Sequence, residues 1–581
     1  MPYLDLIAVV VFSLLVVICG MSFSGSGKDM KSFFAGGGAV PWWISGLSLF
    51  MSFFSAGTFV VWGSIAYQYG WVAVAIQWTM CLAGFIIGFI VAPRWQKTGV
   101  LTAAEFITLR MGYRTQKIYS YLFLLISLFT TGAFLYPVAK ILQVYTGVPV
   151  YLTTIVLGLL ILAYTATGGL WAVVVTDVLQ FIVLTAAVLI VVPLAFGKIG
   201  GLSEMIQKAP DHFFDLHNNE YSFGFLAAFA LYNLFFLSGN WTYVQRYTTV
   251  KTARDAKKVG WLFGALYLVS PVIWMLPPMI YRIVNPDLQG LNSEDAYLLI
   301  CKTVLPVGVM GLMLGGMVFA TSSSVNTTLN ITSGVFTNDL YKALFPHSTE
   351  KKLMRVARLS TVVFGVLTIG VALVIPYIGG IVEVVLSLAA FTGGAMYLPP
   401  LWALFSRKQT GRSVLWVTAI SLLINLFFKF LFPVLTGTGL SRSMEMIVGM
   451  GAPVMLLLAY EIWALQSGFI SRDYEHYVAE KAIRRTAAPA QPAEAEAEAE
   501  AEAETEDNRK GKKVIALGTL ITGVLMGLLG LHAIGTTWVV AAMGGVIIIA
   551  GWAIYPRKTG KLKTVEISYN KEEKKASDYV E

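Results

Sequence analysis

Residues 46–63 read GLSLFMSFFSAGTFVVWG. Apolar residues flank a centre made of Ser52, Ser55, Ala56, Gly57 and Thr58. So apolar a stretch reads as a membrane span, and small residues with a glycine let its helix unwind midway. Unwound carbonyls can coordinate a cation, as in transporters built from broken helices. The same small residues also suit a close helix–helix contact. A second stretch has the same character. Residues 231–246, LYNLFFLSGNWTYVQR, place Asn233 and Asn240 around a Ser238–Gly239 break.

The rest of the chain is consistent with spans. Of 581 residues, 13% are charged and 56% apolar. Soluble chains carry about 25% charged and roughly 45–50% apolar residues. So little charge cannot solvate the outside of a water-soluble enzyme. The three cysteines, Cys19, Cys81 and Cys301, lie in apolar stretches and offer neither a disulfide framework nor metal spacing. The five histidines are scattered, GSGKD at 25–29 lacks the spacing of a phosphate loop, and no Gly-x-Ser-x-Gly elbow precedes a helix. No soluble domain is large enough for catalysis, so no enzyme and no cofactor are expected.

A span needs about 20 apolar residues. Fifteen segments qualify approximately: 4–21, 41–66, 70–93, 117–146, 150–168, 171–196, 222–245, 259–284, 303–338, 356–376, 379–405, 413–434, 444–466, 514–531 and 535–555. The first lacks a basic leader and reads as a retained span. Lys and Arg gather on cytoplasmic loops. The odd-numbered loops through the eleventh segment hold twenty, including Arg94, Arg110, Arg246, Lys258 and Arg412; the even loops hold Lys198, Lys208, Arg282, Lys302 and Arg442. Twenty against five predicts an outside N-terminus in a multi-pass cell (inner, plasma) membrane protein and, by parity, a cytoplasmic C-terminus. The net charge of +9 is then a matter of topology, and no nucleic-acid partner is expected. Residues 484–507 run through alternating Ala and Glu to eight acids, followed by Arg509, Lys510, Lys512 and Lys513. That composition reads as a solvated cytoplasmic tether.

Polar groups at membrane depth mark function by default. The sixth segment opens TATGGLWAVVVTDVLQ, with Asp177 a turn or more inside and Gln180 close by. A buried carboxylate needs a cation or donors, unless it snorkels to the cytoplasm. The ninth carries FATSSSVNTTLNITSG, with eight hydroxyl or amide residues among Thr321–Asn330. Hydroxyl oxygens suit a small hard cation such as sodium. Ser323 and Thr327 share a face at i, i+4, with Asn326 beside them. The breaks in the second and seventh segments lie five segments apart. A five-helix unit covering 41–196, repeated over 222–405, would place them at corresponding positions, the second copy inverted.

The pieces FFAGGGAVPWW (33–43), SLFMSFFSAGTF (48–59), TATGGLWAVVVTDVLQ (165–180), QRYTTVKTARDAKK (245–258) and ATSSSVNTTLN (320–330) together resemble the sodium:solute symporter family. The resemblance spans roughly residues 1–465. It implies an all-α membrane protein with the LeuT-like fold, a 5+5 inverted repeat with additional N- and C-terminal helices, about fifteen in all. The corresponding division is 1–35 (leading helix and loop), 36–405 (transport core), 406–466 (two accessory helices), 467–513 (linker), 514–555 (two C-terminal helices) and 556–581 (charged tail). It also implies a main sodium site of the carbonyls of Met51, Phe54 and Ala320 with the hydroxyls of Ser323 and Ser324. A second site would use Asp177, Ser323, Asn326 and Thr327; relatives have serines at the last two positions.

Solute residues transfer less cleanly. Ser55, Thr58, Gln77, Asn233, Phe236 and Tyr267 fall at solute-binding or gating positions of the family. Asn233 matches a sugar-binding Asn. Thr130 stands where sialic-acid carriers have an Arg, Tyr267 where sugar carriers have a Lys, and Phe236 where they have a gating Tyr. Lys140 is the one basic residue of the spans that could meet an anion, or it snorkels outward. The resulting expectation is sodium-coupled import of a small, neutral, sugar-like solute. A small carboxylate or amino acid, including sialic acid, is the alternative, with a sensor or a sodium channel less favoured. Sodium, the solute and the bilayer are the expected partners; the oligomeric state is open, and nothing in this reading requires more than a monomer.

Overall fold

The computed structural model describes residues 3–22, 40–100, 102–164, 170–487, 506–532 and 537–556. Residues 33–39 and 165–169 of the quoted pieces, most of the Ala-Glu run and the charged tail lie outside them. All regular structure among the described residues is helical. Eleven helices are long and apolar enough to cross a membrane, and the bent pair Phe223–Gly239 and Trp241–Thr248 makes a twelfth. The remaining three expected segments hold shorter apolar helices, Trp42–Met51, Val150–Leu162 and Trp538–Ile554. Length and composition therefore establish fewer than the expected fifteen.

Some boundaries shift for local reasons. The ninth segment begins at Val309 rather than 303, because Pro306 and the left-handed Gly308 (φ 91°) separate it from the short helix Ala296–Val304. The stretch expected as linker begins with a helix, Arg472–Ala487. Arg110 lies over its Tyr474 ring at 5.0 Å, and Phe106 meets its Tyr477 edge-on at 6.0 Å.

Contacts sort the core into two sets. The second, third, seventh and eighth segments pack on one another, and so do the fourth, fifth, ninth and tenth. Each set pairs two helices from 41–196 with their counterparts five segments on. In the first set, glycines bring backbones together. A Cβ on Gly260 would lie 2.5 Å from Gly88 Cα, and one on Gly84 would lie 2.9 Å from Gly264 Cα. Aromatic rings fill the space beside this contact. Phe54 stacks on Trp274 with centroids 4.3 Å apart, and Phe50 meets Tyr267 at 5.3 Å. The sixth segment lies against the second, eighth and ninth, so Asp177 reaches both sets.

Candidate functional site

The second segment breaks where its small residues cluster. An α-helix ends at Met51, residues 52–55 leave helical geometry, and a wide π-turn over Thr58–Trp62 resumes it. The hydrogen bonds explain what the break exposes. In an α-helix each N–H bonds the carbonyl four residues back. Here the Ser55 N–H donates to Thr58 Oγ1 (3.2 Å) and the Ala56 N–H to Thr321 Oγ1 (3.2 Å). The Thr58 N–H turns to Ser55 O at 3.0 Å. Met51 and Phe54 thus lose the donors that would cap their carbonyls, and both residues are buried. Thr58 Oγ1 also donates to Phe53 O. Expected as a solute ligand, Thr58 spends its donor on holding the break open.

The seventh segment breaks by a different device. Asn240 is extended, and its Oδ1 accepts from the Thr242 N–H (3.0 Å), capping the next helix across a 62° bend. A Cβ on Gly239 would lie 2.8 Å from Tyr397 O, so glycine allows the close approach.

Asp177 is buried, neither exposed nor snorkelling. Its Oδ2 accepts from Ser48 Oγ at 2.5 Å and its Oδ1 from Ser323 Oγ at 3.3 Å. Ser324 Oγ lies 3.3 Å from Ala320 O, which puts two of the expected sodium ligands side by side. A cavity of about 70 Å³ is lined by Ser52, Asp177, Ser323, Ser324 and Thr327, together with Arg246. Asn326 is not brought to it. Although i+3 spacing sets it beside Ser323, its Oδ1 turns along its own helix and accepts from Asn330 Nδ2 at 3.2 Å. The hydroxyls and the carboxylate are hard oxygen donors that suit a sodium ion as cargo, with the Arg246 cation beside them; Met51, Phe54 and Ala320 do not line this cavity. Among the described residues no group of three His, Cys, Asp or Glu could hold a metal ion.

A second cavity, about 140 Å³, is several times what one ordered water needs. All six residues expected around a solute line it: Ser55, Thr58, Gln77, Asn233, Phe236 and Tyr267. No charged side chain does. Asn233 is wholly buried; its Nδ2 donates to Thr79 Oγ1 (2.7 Å), whereas its Oδ1 has no partner among the described residues. A buried acceptor left open costs about 1–3 kcal/mol until something donates to it. Ser52, Thr130, Phe134, Phe236 and Tyr243 line both cavities. The partition is aromatic: Phe53 meets Tyr243 at 4.9 Å and Phe236 meets Tyr243 at 5.3 Å.

Two residues escaped the sequence reading. Ser48 continues the serines at 45, 52 and 55 along three- and four-residue steps, a stripe that could have singled it out. Arg246 was counted among loop cations. It is 2% exposed, and its Nε and Nη1 have no hydrogen-bond partner among the described residues. Its signal was proximity to the break at Asn240, where the chain bends by 62°. Lys140 neither snorkels nor waits for a solute; it pairs with Asp295 at 3.3 Å, with both side chains largely buried.

The sodium/glucose cotransporter of Vibrio parahaemolyticus is 27% identical over 473 residues, covering 74% of this chain and 86% of the relative. The sodium/sialic acid symporter SiaT of Proteus mirabilis is 26% identical over 366 residues, covering 60% and 74%. A solved Na+-coupled sialic acid symporter, substrate-bound and outward-open, superposes with TM-score 0.67 over 78% of this chain and 96% of its own, at 21% identity. That likeness shows the LeuT-like fold. The profile of the sodium:solute symporter family matches residues 33–428, well over half of the chain. The chain belongs to the sodium:solute symporter family and is a multi-pass membrane transporter.

Proposed function

We propose that the protein imports a small, neutral, hydroxyl-rich solute together with sodium, by alternating access. The observation that carries this reading is the break at residues 52–55. It uncaps the Met51 and Phe54 carbonyls while Thr321, from the other helix set, holds the broken strand at 3.2 Å. In this reading Met51, Phe54, Ala320, Ser323 and Ser324 bind the main sodium. Asp177, Ser323 and Thr327 offer a second position, with Asn326 reaching it only by leaving Asn330. Ligands shared by two moving sets give sodium a differential affinity for the states in which those sets are close. That difference is what shifts a population. Each sodium entering down a 100 mV potential adds about 2.3 kcal/mol of driving force.

The solute reading rests on the uncharged cavity and on Asn233 Oδ1, an open acceptor suited to a hydroxyl. Phe236 and its aromatic neighbours would close the path toward Asp177. The alternative, a small carboxylate, draws support from Arg246 across that partition. The remaining elements of the proposal are fifteen spans, an outside N-terminus and the two repeats at 41–196 and 222–405. The test is a solute screen by sodium-dependent thermal stabilisation of the purified chain. Hexoses and polyols should raise the unfolding temperature only with sodium present. Stabilisation by carboxylates alone would replace the neutral-solute reading with the second one.

A further inference from the structure

The two C-terminal helices do not stand apart from the core. Met526, Leu529, Val540 and Ile547 pack in one apolar cluster with Ala8 and Phe12 of the first helix and Val183 and Ile190 of the sixth segment. Toward the end where Glu506–His532 begins and Thr537–Ile554 finishes, Ile515 packs with Val174, Val175 and Val178, and Val514 and Ile554 lie against the same cluster. Beside this contact the hairpin and the core border an open groove of about 830 Å³. Its walls are apolar, with Leu47, Val178 and Ile182 on the core side and Ala553 on the hairpin. Trp43 and Lys512 line it as well. Lys512 follows Arg509 and Lys510 and precedes Lys513, and those three side chains are exposed. On the neighbouring helix start, Lys258 lies over the Trp42 ring at 5.5 Å.

An apolar slot between membrane helices, with a tryptophan and a lysine in its lining and further cations nearby, matches one class of molecule. Acyl chains fill such walls, interfacial tryptophan marks headgroup depth, and basic residues beside a helix end attract anionic headgroups. We propose that this groove binds an anionic phospholipid, its phosphate at Lys512 and an acyl chain between Leu47, Val178, Ile182 and Ala553. The site lies directly behind the Asp177 cluster: Leu47 and Val178 are the chain neighbours of Ser48 and Asp177, which hydrogen-bond at 2.5 Å. A lipid there would hold that contact together. This consequence rests on the sodium reading, whereas lipid binding itself does not.

The test is native mass spectrometry of the full chain, extracted from vesicles of equal parts phosphatidylcholine and phosphatidylglycerol, with retained lipids identified by mass. The expected result is retained phosphatidylglycerol in preference to phosphatidylcholine. Lys512→Gln should lower that preference about fivefold, the worth of one juxtamembrane cation. Ala553→Trp fills the slot and should lose both lipids; Leu47→Phe does the same from the core side, in case the first variant folds poorly. Equal retention of the two lipids by the unmodified chain, or unchanged retention in the variants, overturns the proposal. So does phosphatidylglycerol retention that appears only after the acids of Glu494–Asp507 are changed to glutamine or asparagine. That result would give Lys512 to the chain's own acidic run.

Discussion

Ser324 is the sharpest test of the site at the scale of one residue. Its hydroxyl lies 3.3 Å from Ala320 O, on the face turned to the cavity. A hydrogen bond or ligand contact to a charged group is worth about 1.5–3 kcal/mol, or about tenfold or more in affinity. Ser324→Ala should therefore raise the sodium concentration for half-maximal uptake by about tenfold or more. His217→Ala, in an exposed loop, should leave it unchanged, and equal effects would remove Ser324 from the sodium set. Asn233 makes the matching case for the solute. Asn233→Ala should weaken solute binding by about tenfold, measured by competition, with sodium affinity unchanged. Ser324 drew attention because eight hydroxyl or amide residues crowd into Thr321–Asn330, and Asn233 because it sits in an otherwise apolar stretch; their roles belong to the proposal. Arg246 was not legible, since a cation near a span end looks the same whether it meets water or folds back into the bundle.

At the scale of elements, the glycine contact between the third and eighth segments sets how closely the helices approach. A Cβ on Gly260 meets backbone at 2.5 Å, and backbone cannot yield as a side chain can. Gly260→Val should cost about 1–3 kcal/mol or more by overpacking. Gly370, with nothing within 4 Å of its Cβ, should accept alanine without loss. Thermal unfolding in detergent compares the two. The breaks themselves were readable for different reasons. Ser-Ala-Gly-Thr at 55–58 announced the first through small residues, and Ser238–Gly239 announced the second. Sequence did not show that Asn240 caps the second bend, or that Thr58 and Thr321 take the amides of the first. Those bonds join residues brought together only by packing. The helix Arg472–Ala487 was hidden by its polarity, because a helix that docks on a basic loop needs no apolar stripe long enough to read.

At the scale of the whole molecule, the loop after the eighth segment latches onto two helices. Glu294 accepts from Tyr136 Oη (3.0 Å) and from the Ile381 N–H (3.0 Å), beside the Lys140–Asp295 pair. Burial pushes the Glu294 and Asp295 carboxyls above their ordinary values. A raised carboxyl favours the protonated folded form. Its contribution is complete below the ordinary glutamate value of 4.5 and fades as pH climbs above it. The unfolding temperature should therefore fall as pH rises from that value, and Glu294→Gln should flatten the slope. A slope unchanged in the variant would place the titration elsewhere. The family and the run of apolar spans were legible because motif order and hydrophobic length are summed over the whole chain; the two repeats and the orientation remain part of the proposal. The groove between hairpin and core was not legible, since it depends on how two separated segments meet.

Sodium coupling is the claim on which the site, the breaks and the two helix sets converge. It is tested most directly by reconstituting the chain in sealed vesicles and imposing an inward sodium gradient, using a solute that stabilises it. The account predicts accumulation above the outside concentration, abolished when sodium is equal on both sides and weakened in Ser324→Ala. Sodium flux that proceeds without solute, with no accumulation of any solute tested, would contradict it.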